Sequence, residues 1–142
     1  MKRLFLLITI FYFLINITAC TKSIKSDIDI DLTKLSSTMA YSEVLNMLES
    51  PEKYTGKKVK MEGSFNLTRD EENDKNYCAC IIYDSTSCCV QRMEFELSDK
   101  LSFPDGYPSQ NSDITVVGYF ETYENNGYSY CRLNNAKIVS DF

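Results

Sequence analysis

The chain has 142 residues, of which 44% are hydrophobic and 25% charged, with six cysteines, ten tyrosines, no histidine and a formal net charge of −5. That length accommodates one modest domain around a single core. The acidic balance speaks against a phosphate backbone as partner, and the lack of histidine removes the Ser/His and Cys/His nucleophilic pairs.

Lys2-Arg3 precede an apolar run from Leu4 to Ile15, and Ala19-Cys20 close the segment. A basic start, a short apolar core and a small residue before the break form a secretory leader, and the core is too short to span a bilayer comfortably. The Ala19-Cys20 junction resembles the lipobox of bacterial lipoproteins. The resemblance implies cleavage before Cys20, with diacylglycerol and usually an N-acyl chain on that cysteine. It divides the chain into a signal peptide (1–19), a lipidated N-terminus with a flexible tether (20–38) and a folded domain (39–142). It places the domain outside the cytoplasm, held by lipid to the cell membrane or the outer membrane. More than one acyl chain suits durable anchoring. Losing Lys2 and Arg3 with the leader takes the net charge from −5 to −7.

Residues 21–38 are polar with scattered Ile and Leu, which suits a tether; the Asp27-Ile28-Asp29-Ile30-Asp31-Leu32 alternation is the weaker case for an edge strand. Tyr41 to Glu49 carries the apolar stripe of a helix, with Ser42 as its cap and Pro51 ending it. From Lys57 to Leu67, Val59, Met61, Gly63, Phe65 and Leu67 share one face of a strand, and Gly63 marks a bend or close approach. Thr68 to Asn76 is a charged loop without the ordered ligand spacing of a calcium loop.

A hairpin follows. Tyr77–Tyr83 and Cys89–Leu97 alternate as strands about an Asp84–Ser87 turn. Symmetric reversal about that turn sets Tyr83 opposite Cys88, Ile82 opposite Cys89 and Cys80 opposite Gln91. Cys78, Cys80 and Cys89 then face the core with Met93 and Phe95, and Cys88 points away. Ser98 to Ser112 is a turn-rich connection pinned by Phe103 and Tyr107. Ile114–Thr122 and Tyr128–Leu133 form a second hairpin about Asn126-Gly127, pairing Cys131 with Thr122 and Leu133 with Phe120.

The order helix, bent strand, hairpin, long connection, hairpin predicts an all-β fold, a small five-stranded antiparallel barrel preceded by one short helix. The lead-in PEKYTGKKVKMEGSF and the Ile114-x-Val116-x-Gly118 strand resemble the OB-fold, the oligonucleotide/oligosaccharide-binding barrel. The spacing of Asp84, Cys88, Cys89, Glu94 and Phe95 is similar to that in a group of bacterial lipoproteins without an established activity.

Three roles for the cysteines stay open: buried thiols and disulfides, a metal site, and thiol redox exchange. The metal reading gathers Cys78, Cys80, Cys89 (or Cys88) and Cys131 around zinc or an iron–sulfur centre. Cys88 is the odd cysteine, and an alternative for it is a vicinal disulfide with Cys89. Tyr77, Tyr83, Tyr119, Tyr128 and Tyr130 fall on outer strand parities and are expected to form a ligand surface. The sequence therefore predicts a lipid-anchored, non-enzymatic binding domain whose partner is an envelope protein, peptide or glycan and not nucleic acid. Its alternative is a cysteine-ligated metal domain or a thiol redox protein.

Overall fold

The computed structural model describes residues 27–72 and 74–139. The expected leader and Cys20 lie outside the described residues. The elements are β1 (Ile30–Asp31), α1 (Ser37–Glu49), β2 (Lys58–Asp70), β3 (Lys75–Tyr83), β4 (Val90–Leu97), β5 (Asp113–Asn125) and β6 (Tyr128–Ile138). Strands β2 to β6 close into a barrel in the order β2-β3-β4-β6-β5, with β5 returning to β2. Within the barrel every pair is antiparallel except β4–β6, which is parallel. This is the five-stranded OB-like barrel that the sequence predicts, with one helix in front of it.

Closure depends on β2. Its first half, Lys58–Ser64, pairs with β5, and its second half, Ser64–Asp70, pairs with β3. The strand changes partners at Gly63 and Ser64, where a barrel wall must turn a corner. The inward parity holds as the alternation implies: Val59, Met61, Phe65, Met93, Val116, Phe120 and Leu133 are buried. Val44 and Met47 of α1 join this core, and the helix packs against β3 and β4.

Four expectations need correction, the smallest being that Thr68–Asp70 and Lys75–Asn76 are paired strand and not loop. Residues 27–38 belong to the domain and are not a tether. Ile30–Asp31 adds in parallel to β2, the Asp29 carboxylate accepts from Lys58 N–H at 2.9 Å, Asp27 pairs with the Lys58 ammonium, and Leu32 is 2% exposed. The helix starts at Ser37, a turn earlier than expected, because Ser36 and not Ser42 caps it by accepting from Met39 N–H. It ends at Glu49 before Pro51, as predicted.

The last correction is the register of the β3–β4 hairpin. Tyr83 pairs with Val90, Ile82 with Gln91, Cys80 with Met93 and Cys78 with Phe95. The strands are slipped by two residues from the symmetric arrangement, so the connecting loop runs from 84 to 89. A slip of two preserves parity, so Cys78 and Cys80 do face the core with Met93 and Phe95. Cys89 leaves the strand altogether. By contrast, the second hairpin pairs Cys131 with Thr122 and Leu133 with Phe120, as expected, about Asn126 and Gly127 at φ 51° and 80°.

Candidate metal centre

The loop 84–89 is organised by one carboxylate. Oδ1 of Asp84 accepts from the amides of Cys88 (3.0 Å) and Cys89 (3.4 Å), while Oδ2 accepts from the Thr86 hydroxyl (2.8 Å). Ser87 N–H donates to the Asp84 carbonyl, Ser87 takes a left-handed φ of 57°, and Asp84 N–H donates to the Cys89 carbonyl. An aspartate that captures amides ahead of it in this way turns the chain without a ladder. The consequence is that both cysteines are held on the same side as the carboxylate that positions them. The Cys88 thiol lies 3.4 Å from Asp84 Oδ2 and 3.5 Å from the Cys89 sulfur.

One ligand atom each from Asp84, Cys88 and Cys89 therefore lies within 4.8 Å of the other two. The cluster is a candidate Cys2Asp metal-binding site. Hydrogen bonds from Thr86 hold the Asp84 carboxyl below the usual carboxylate range, helped by Cys88 and the loop amides. The neighbouring Cys88 thiol raises the Cys89 thiol, with a smaller push from desolvation and from Asp84. A cation replacing the thiol protons would reverse that penalty, since thiolates ligate metals only when deprotonated.

The expected four-cysteine centre does not assemble. Cys80 and Cys131 sit on β3 and β6, with Met93 of β4 between them, a separation of about 10 Å across two strand spacings. Cys78 and Cys80 are buried among apolar side chains, and desolvation pushes their thiols up to about 11 and about 12. Cys131 is half-buried and also raised by desolvation. All five described cysteines are free thiols. Cys88 is exposed, as its outward parity implies, but so is Cys89, which shares the loop with it. Asp84, read from the sequence as a turn residue and as part of the spacing with Cys88 and Cys89, was not among the expected ligands, and the structure adds it to the candidate set.

The five candidate surface tyrosines are spread over three strands, β3, β5 and β6. Tyr83, Tyr119, Tyr128 and Tyr130 are exposed, and Tyr77 is half-buried. Tyr77 lies under the Lys75 ammonium, and Tyr119 under that of Lys58. Tyr130 stacks on Tyr123, whose other contacts are the Arg132 guanidinium at 4.5 Å and Glu94, to which its hydroxyl donates at 2.7 Å. Arg132 in turn pairs with Glu96 and Glu121. A cleft of about 460 Å³ opens beside this network, lined by Tyr77, Glu94, Glu96, Lys100, Tyr107 and Arg132 among others. Ala79, which shares its strand parity with Tyr77 and Tyr83, is fully buried between Asn66 and Glu94 on the neighbouring strands.

No protein-family model matches the chain, and no curated protein matches it. Among solved structures, a Klebsiella pneumoniae lipoprotein named for a proposed nucleic acid-binding role is similar over 80% of this chain and 92% of that one, at 19% identity and a TM-score of 0.46. That name contradicts the exclusion of nucleic acid drawn above from charge and export, and the exclusion is withdrawn.

Proposed function

We propose that this is a lipid-anchored, metal-binding domain that holds a thiophilic cation of the zinc class at Cys88, Cys89 and Asp84. The observation that carries the proposal is the convergence of two sulfurs and a carboxylate within 4.8 Å on a loop that the carboxylate itself shapes. Soft thiolates select zinc or copper(I) over magnesium or calcium. An iron–sulfur cluster asks for four cysteine ligands, and two thiolates fall short. Structural zinc sites are closed by four protein ligands. Three ligands on an exposed loop leave a coordination position open, which favours a site that captures and hands on a cation over one that holds the fold together.

Full-length protein purified in detergent under reducing conditions is expected to bind about one zinc per chain. Cys88→Ser and Cys89→Ser should each weaken zinc binding by at least about 100-fold, and Asp84→Asn by about tenfold. Cys131→Ser should leave it unchanged. Equilibrium competition against a chromophoric chelator reads all four. Wild-type affinity in the Cys88 and Cys89 variants would defeat the proposal.

The anchor is proposed from Ala19-Cys20 at the end of the apolar leader. Mass analysis of the mature N-terminus should find a diacylglyceryl cysteine, and Cys20→Ala should abolish both the lipid and the cleavage before residue 20. An unmodified residue 20 in the wild-type protein would remove the anchor from the proposal while leaving the metal site untouched.

A further inference from the structure

We infer that Cys88 and Cys89 form a reversible vicinal disulfide by thiol–disulfide exchange, and that this oxidation closes the metal site. The disulfide stands on its own geometry; the closing of the site rests on the metal-binding proposal above.

The two sulfurs are already 3.5 Å apart, and both residues are exposed. No ladder pairing is assigned to residues 84–89, between the ends of β3 and β4. The backbone there is held by the hydrogen bonds of Asp84 and not by a strand ladder, so only those few contacts must give as the ring closes. Neighbouring Cα atoms are about 3.8 Å apart, closer than the 4.4–6.8 Å usual for a disulfide, so the ring is strained and gives up its bond readily to a reductant. The remaining thiols among the described residues are poor competitors. Cys78 and Cys80 are buried, and Cys131 is half-buried on a different strand.

The step balances with an external disulfide of the glutathione class as oxidant. A thiolate of the pair attacks one sulfur of that disulfide, forming a mixed disulfide and expelling one glutathione thiolate. The adjacent cysteine, on losing its proton, attacks the protein sulfur of the mixed disulfide and expels the second glutathione. Two thiol protons and two electrons leave the protein, and the external disulfide is reduced to two thiols. The product has no thiolate at position 88 or 89, so only the Asp84 carboxylate of the ligand set remains.

The test treats full-length, detergent-purified protein with oxidised glutathione, then alkylates free thiols and maps each cysteine by peptide mass spectrometry. The expected result is a peptide carrying Cys88 and Cys89 without alkyl groups and lighter by two hydrogens than its dithiol form. Cys89→Ser should stop at a glutathione adduct on Cys88, and Cys131→Ser should behave as wild type. Zinc affinity should fall at least about 100-fold on oxidation, as in the single-cysteine variants, and return with dithiothreitol.

Alkylatable Cys88 and Cys89 after oxidation, a persistent glutathione adduct in the wild type, or disulfides between chains would overturn the vicinal disulfide. If the disulfide forms but zinc binds equally before and after, the closing of the site is overturned. If the disulfide forms and the reduced protein never binds zinc, the metal-binding proposal fails and the disulfide stands.

Discussion

Gly63→Val is expected to cost at least about 3 kcal/mol, a large share of a domain's whole margin of about 5–15 kcal/mol. A Cβ at position 63 would lie 2.4 Å from the Ile81 carbonyl oxygen and 2.8 Å from the Cys80 sulfur. The first of these is backbone, held in the β2–β3 ladder by the Ser64–Ile81 pairing, and cannot swing aside. The second belongs to a fully buried side chain. Gly63 also pairs with Ile114 on β5 at the point where β2 passes from one neighbour to the other. A branched side chain there pushes β3 off β2 and opens the barrel along its closing seam. Gly118→Ala is the milder comparison: its Cβ would meet Leu133 Cβ at 2.9 Å and the Asn134 oxygen at 3.0 Å, for about 1–2 kcal/mol. Urea denaturation followed by circular dichroism measures both. A Gly63→Val protein within about 1 kcal/mol of wild type would show that the seam is looser than its contacts imply.

The seam and the inner face were legible because they rest on alternation. A glycine among Val59, Met61 and Phe65 has few readings besides a bend, and Asn126-Gly127 fixes a two-residue turn and hence the register of everything beside it. The β3–β4 register was not legible for the converse reason. Nothing in Asp84–Ser87 shows that the aspartate will reach forward to the amides of Cys88 and Cys89 and draw them out of the strand. That one side-chain choice moves Cys89 from the core to the surface and replaces a four-cysteine cluster with a three-ligand loop. The N-terminal segment misled in a similar way. Asp27, Asp29 and Asp31 suggest a solvated tether, yet Lys58 takes the first two and Thr33 with Lys34 takes the third, which lets Ile30 and Leu32 pack inward. Charge reads as exposure only until its partners are known. The helix start was hidden for a smaller reason: its first turn is Ser37-Thr38-Met39, polar enough to pass for linker.

Zinc affinity is expected to fall steeply as pH drops, by about 100-fold per pH unit between about pH 5.5 and 7.5, because each of two ligating thiols must release a proton. The sign follows from the groups in the loop. Cys88 raises the Cys89 thiol above its ordinary value, so in this range the proton competes with the metal at that sulfur, and the competition strengthens as pH falls. Asp84 is held below the usual carboxylate range by Thr86, so it is already ionised across the window and adds no proton to the count. A plot of log apparent Kd against pH, measured with a competing chelator whose own protonation is corrected for, should have a slope near −2. A slope near −1 would mean that only one cysteine ligates. A flat plot would mean that carboxylates alone hold the cation, and the Cys88–Cys89 pair would lose its place in the site.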